Sequence, residues 1–175
     1  GRVGEKWASR PTQLMKKGRS DKIVVVAVGK LRRREWKAVQ ADYLQRLQRY
    51  TDVGLVEVKD AVGRGYPDVV AMRREGEQLL KASAAAQRRI LLTSDGKEMD
   101  SEGLAAFVQA QMETYGQIGF LIGGPLGFAD EVRKAADARL SLSRLTFPHE
   151  LARIVFLEQL YRAFTILRGH KYHKA

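Results

Sequence analysis

Lys22-Ile23-Val24-Val25-Val26-Ala27-Val28-Gly29 is a run of mostly β-branched residues closed by a glycine. Every position in it is apolar after the opening lysine, so it reads as a strand buried on both faces, the kind that parallel sheets require. The next segment changes period. Arg32–Tyr50 places Trp36, Val39, Tyr43, Leu44 and Leu47 three or four apart, which predicts an amphipathic helix. A strand feeding a helix is the unit of an α/β fold, and the rest of the chain repeats it.

Leu55–Val58 is a second strand, and Asp60–Asp68, rich in Gly, Tyr and Pro, is a loop. Val69–Ala82 predicts a helix with Glu75, Glu77 and Lys81 on its wet side. Arg89–Thr93 is a third strand; Asp100 or Ser101 caps a helix to about Tyr115. Ile118–Ile122 is a fourth strand, Asp130–Ala138 a short helix and Arg139–Leu142 a fifth strand. Pro148 opens a last helix to about Leu167. The expectation is a mostly parallel sheet with helices on both faces. The last helix is apolar nearly all round, from Leu151 to Ile166, so it must be buried on more than one side. In so small a chain a second subunit is the natural cover, which predicts a homodimer.

Composition narrows the function. At 175 residues the chain holds one domain, and 45% hydrophobic with 29% charged residues is a globular balance. No apolar run approaches the roughly 18 residues that span a bilayer. With no cysteine, disulfides, thiolate nucleophiles and Cys-ligated zinc are excluded, and a reducing, cytoplasmic setting fits. The net charge of +11 makes nucleic acid the leading partner. Nearly half of that excess lies in residues 1–20, where Arg2, Lys6, Arg10, Lys16, Lys17 and Arg19 face only Glu5. That stretch has no strand or helix period and reads as a basic extension, a processed leader or an added remnant. Residues 21–175 form the single domain.

In open α/β sheets ligands sit at the carboxyl ends of the strands. Three loops there have unusual composition. Gly123-Gly124-Pro125-Leu126-Gly127 is neither GxGxxG nor a P-loop; taken alone it suits a plain turn as well as a ligand wall. Leu142-Ser143-Arg144-Leu145-Thr146-Phe147-Pro148-His149 mixes hydroxyls with apolar side chains, which suits a nucleoside, although Thr146 also suits a helix cap. Leu92-Thr93-Ser94-Asp95-Gly96 alone is an ordinary turn. The tail from Arg168 to Ala175 mixes cations with Tyr172, which suits RNA or a solvated end. His149, His170 and His173 lack a carboxylate cluster to make a metal site. Glu158 and Arg162 have ion-pair spacing, at a dimer seam if there is one. A Ser143–His149–Asp95 hydrolase lacks its GxSxG elbow.

Ile122-GGPLG-Phe128, Leu142-SRLTFPHELA-Arg153, Glu158-QLYRA-Phe164 and His170-KYH-Lys174 together resemble one family, and so do KIVVVAVGK and REGEQLL. It is the small SPOUT-class methyltransferases that modify N3 of a pseudouridine in bacterial large-subunit ribosomal RNA. The resemblance spans about Lys22 to Lys174. It implies a C-terminal trefoil knot, S-adenosylmethionine as cofactor, and a homodimer with active sites near the subunit boundary. It also implies a cofactor pocket of Leu92, Gly123, Leu142, Ser143, Arg144, Leu145, Thr146 and Phe147. Arg153, Tyr172 and His173 match positions near the target base. Removing the N3 proton calls for a base, for which His173 is the candidate, and a cation to steady the ring, for which Arg153 is. With no added RNA-binding domain, the expected substrate is ribosomal RNA within an assembled ribosome. The competing readings are a knotted ribose 2′-O-methyltransferase and a non-catalytic RNA-binding module.

Overall fold

In a computed structural model, residues 21–174 are described, so the basic extension at 1–20 lies outside the described residues. Among the described residues five strands and five helices alternate. They are β1 (Ile23–Val28), α1 (Arg34–Leu47), β2 (Val53–Val58), α2 (Asp68–Ala82) and β3 (Arg88–Glu98), then α3 (Ser101–Thr114), β4 (Ile118–Ile122), α4 (Asp130–Ala135), β5 (Ala138–Ser141) and α5 (His149–Leu167). All pairings are parallel and the sheet order is β2-β1-β4-β3-β5.

The apolar run that opens the fold is a central strand with every residue buried. Because side chains alternate, Ile23, Val25 and Ala27 enter one core while Val24, Val26 and Val28 enter the other. The first core holds α1, α3 and α5 through Leu44, Leu47, Leu104, Val108, Phe156 and Leu160. The second holds α2 and α4 through Leu79 and Val132. At Gly76 a Cβ would stand 2.9 Å from Val132 Cγ2, so glycine lets α2 and α4 pack this closely.

The buried residues of α5, Phe156, Leu157, Leu160, Ala163 and Phe164, are covered by the sheet and by α1 and α3 of the same chain. Leu151, Val155, Tyr161 and Ile166 of the same helix are only half-buried within the chain. Glu75, expected on the wet side of α2, is 2% exposed, whereas Glu77 and Lys81 are exposed as expected. The backbone N–H groups of Ala61 and Val62 draw its carboxylate inward.

Strand β3 also runs further than its apolar stretch. Leu140 of β5 pairs first with Leu92 and then with Lys97, so Thr93–Gly96 loops out and the strand rejoins the sheet. Asp100 is the N-cap of α3, accepting the N–H of Gly103 at 2.7 Å.

Candidate functional site

Strands β4, β3 and β5 are neighbours, so the loops after them meet at one edge of the sheet. They enclose a cleft of about 230 Å³ with the first turn of α5. The glycine loop supplies one wall. Gly127 takes φ +81° and donates its N–H to the Gly124 carbonyl at 3.0 Å, closing a tight turn. A Cβ on Gly123 would lie 3.2 Å from the Gly127 oxygen and 3.3 Å from the Phe128 ring, so a side chain here would press the turn open by a few tenths of an ångström.

The opposite wall is the loop after β5. Ser141 Oγ donates to the Ser143 carbonyl at 2.9 Å, and the Leu145 N–H donates to Ser143 Oγ at 3.0 Å. These two bonds shape the loop and leave Leu145 73% exposed, an apolar lip on the opening. Pro148 precedes α5 without a side-chain cap, so Thr146 is not the cap that its place suggested; it lines the cleft. Of the eight residues expected at the cofactor, Leu92, Gly123, Leu142, Ser143, Leu145, Thr146 and Phe147 line it. Arg144 does not: it points outward, 3.9 Å from Glu98. A second cavity of about 340 Å³ shares Leu92, Leu142 and Phe147 with the first and reaches Ser101 and Gln159.

The three residues expected at the target base are not brought together. Arg153 is 1% exposed. Its Nη1 donates to Glu57 Oε2 at 2.5 Å and Gln40 Oε1 at 3.3 Å; its Nη2 donates to the Gly29 carbonyl at 2.9 Å and the Val28 carbonyl at 3.3 Å. Burial pushes its pKa down, against the pull of Glu57.

Tyr172 and His173 lie toward the other end of α5. Gly169 at φ +67° ends the helix, and the His170 N–H returns to the Thr165 carbonyl at 2.9 Å, which folds the tail back. Tyr172 Oη donates to Glu158 Oε2 at 2.8 Å, and burial together with that carboxylate raises its pKa. Glu158 also accepts from Arg162 Nη2 at 2.9 Å, and Arg162 stacks 4.7 Å over the Tyr172 ring. Arg162 Nη1 is 3.1 Å from His173 Nδ1, and His173 Nε2 is 3.8 Å from Glu102. His170 is held by Tyr50 Oη at 2.6 Å. Tyr172 and His173 are thus half-buried against the end of α5, while residues 168–171 and Lys174 stay exposed. Arg162 joins this site, where its sequence spacing pointed only to an ion pair.

From Ala152 on the cleft to Arg162 beside the tail, α5 rises about 15 Å. Neither Tyr172 nor His173 lines the cleft of its own chain.

Comparison with known proteins places this geometry. A family model described as "Predicted SPOUT methyltransferase" matches residues 22–173. The Ribosomal RNA large subunit methyltransferase H of Carboxydothermus hydrogenoformans is 40% identical over 161 residues, covering 87% of this chain and 99% of the relative. The protein of the same name from Halothermothrix orenii is 42% identical over 160 residues, with the same coverage. A solved structure of a probable methylase family protein from Haemophilus influenzae aligns at TM-score 0.55 and 13% identity. It covers 89% of this chain and 71% of that one, a likeness of fold.

Proposed function

The chain belongs to the SPOUT methyltransferase family, and on that premise we propose that it moves a methyl group from S-adenosylmethionine to N3 of a pseudouridine in large-subunit ribosomal RNA. The observation behind this reading is the cleft, where seven of the eight residues expected at the cofactor gather at the ends of three adjacent strands. Its chemistry fits the group. Leu92, Ile122, Leu142 and Phe147 offer apolar surface for a base, while Thr93, Ser94, Ser143 and Thr146 offer hydroxyls for ribose and base edges. Loops in turn conformations add backbone donors. When bound, S-adenosylmethionine supplies an electrophilic methyl carbon; the chain supplies orientation and charge.

Tyr172 offers a ring on which a flipped pyrimidine stacks. His173 is the proposed acceptor of the N3 proton. In the observed arrangement Arg162 donates to His173 Nδ1, so the imidazole must release that bond to act as base through this nitrogen. Arg162 is also the better-placed cation for a ring that has lost its proton, since it already touches both tail residues. Burial supports a structural part for Arg153 beneath the site.

A homodimer, a trefoil knot at the C-terminal end and a cytoplasmic place of work belong to the same proposal. The separation along α5 supports the first: the tail of one subunit completes the cleft of the other. Assembled ribosomes are the proposed substrate, since a folded ribosomal surface adds contacts to those that the described domain can make.

Mixed dimers test the arrangement. Thr146→Trp, which fills the cleft, and His173→Ala, which removes the base, should each lower methyl transfer about 100-fold or more. Co-expressed, they should recover about a quarter of wild-type activity, because half of randomly paired dimers are mixed and each has one intact site. No recovery would mean that cleft and tail serve within one chain.

A further inference from the structure

The glycine loop packs against a buried carboxylate, Glu75, that has no ion pair among the described residues. Glu75 Oε2 accepts the N–H groups of Ala61 at 2.9 Å and Val62 at 3.2 Å. Its other oxygen, Oε1, is buried without a hydrogen-bond partner among the described residues. A Cβ placed on Gly124 would stand 3.0 Å from Oε1, and Gly124 lines the cleft. The bare backbone of Gly124 therefore lies against this oxygen and also lines the cleft.

The surroundings leave that charge its reach. Among the described residues no Asp, Glu, Lys or Arg lines the cleft. Asp95, on the neighbouring loop, is already paired with Arg133 at 3.1 Å and Arg139 at 3.6 Å. Glu75 has no ion-pair partner among the described residues. A carboxylate that served only to hold Ala61 and Val62 needs one oxygen, and a neutral amide would supply it. The second oxygen and the charge are unaccounted for by packing. In a poorly polarisable wall a charge acts over several ångströms, with little screening by salt.

We infer that the Glu75 carboxylate biases the cleft toward a positively charged ligand, favouring the sulfonium donor over the neutral thioether left after transfer. This rests on the cleft being the S-adenosylmethionine site. Loss of the positive charge on transfer then weakens the hold on the product, which helps it leave.

Glu75→Gln keeps an acceptor oxygen for the two N–H groups and removes only the charge. Calorimetry on the full chain with S-adenosylmethionine and with S-adenosylhomocysteine reads the effect. The ratio of the two affinities should shift about tenfold toward the thioether in the variant, with thioether binding itself nearly unchanged. An unchanged ratio, with both ligands weakened alike, would reduce Glu75 to a packing residue and overturn the inference. If the wild type binds neither ligand, the reading of the cleft fails first, and the inference with it. Should the variant not fold, the wild type decides with a donor analogue carrying a titratable amine in place of the sulfonium. Its protonated form must bind more tightly than its neutral form; equal affinity overturns the inference.

Discussion

Replacing Arg153 by alanine should destabilise the fold by about 3–5 kcal/mol, the usual consequence of removing one partner from a buried ion pair. Its guanidinium is almost wholly enclosed and satisfies Glu57, Gln40 and the carbonyls of Val28 and Gly29. Without it, the half-buried carboxylate of Glu57 and two carbonyls at the end of β1 lose their donors. A loss of that size is a large part of a domain's total stability. Arg153→Lys keeps the charge but not the planar fork, so an intermediate loss is expected. Urea unfolding reads both variants, and methyl transfer should fall in step with the folded fraction. An alanine variant within about 1 kcal/mol of wild type, yet inactive, would return Arg153 to direct contact with the target base.

Gly96→Ala should disrupt the cleft from behind. A Cβ there would lie 2.6 Å from the Leu140 carbonyl carbon, 2.7 Å from its nitrogen and 2.8 Å from the Arg139 carbonyl carbon. These are backbone atoms of the adjacent strand, which have no rotamer to retreat into. The chain must lift off β5 where Lys97 pairs with Leu140 and Glu98 with Ser141. The loop from Leu142 to Phe147 leaves β5 just beyond and forms a wall of the cleft, so the shift is passed on to it. The expected cost is about 3 kcal/mol, at the upper end for overpacking, with donor affinity reduced at least about tenfold. Gly127→Ala is the control: it meets no atom within 4 Å and bears only the strain of φ +81°, about 1–2 kcal/mol. Thermal melting with calorimetry separates them; equal effects would mean that the close approach at Gly96 is not what shapes the cleft.

The fold was legible where one segment carried its own period. Ile23–Val28 and Ile118–Ile122 are apolar throughout and became the central strands, the first helix followed from three-to-four spacing, and others from a cap or an opening proline. What stayed hidden depends on contacts far along the chain. The polar stretch after Leu92 gives no strand signal, because its return to the sheet is set by β5. Glu75 reads as a solvated residue until the loop at Ala61 and Val62 draws it in; its place in REGEQLL was the one available hint. The breadth of the apolar surface on α5 was visible, but not that α1 and α3 would cover it. The residues that line the cleft were legible through ordered motifs, with Arg144 the exception because its side chain leaves the loop outward. The tail's partners, Tyr50, Glu158 and Arg162, are beyond any local reading of His170 to His173.

Methyl transfer from labelled S-adenosylmethionine to ribosomes lacking the modification, followed by mapping of the labelled nucleotide, tests the central claim most directly. The account predicts label on N3 of one large-subunit pseudouridine, with little or none on the same RNA stripped of protein. Label on a ribose 2′ oxygen, equal labelling of bare RNA, or no transfer by a protein that binds the donor would contradict it.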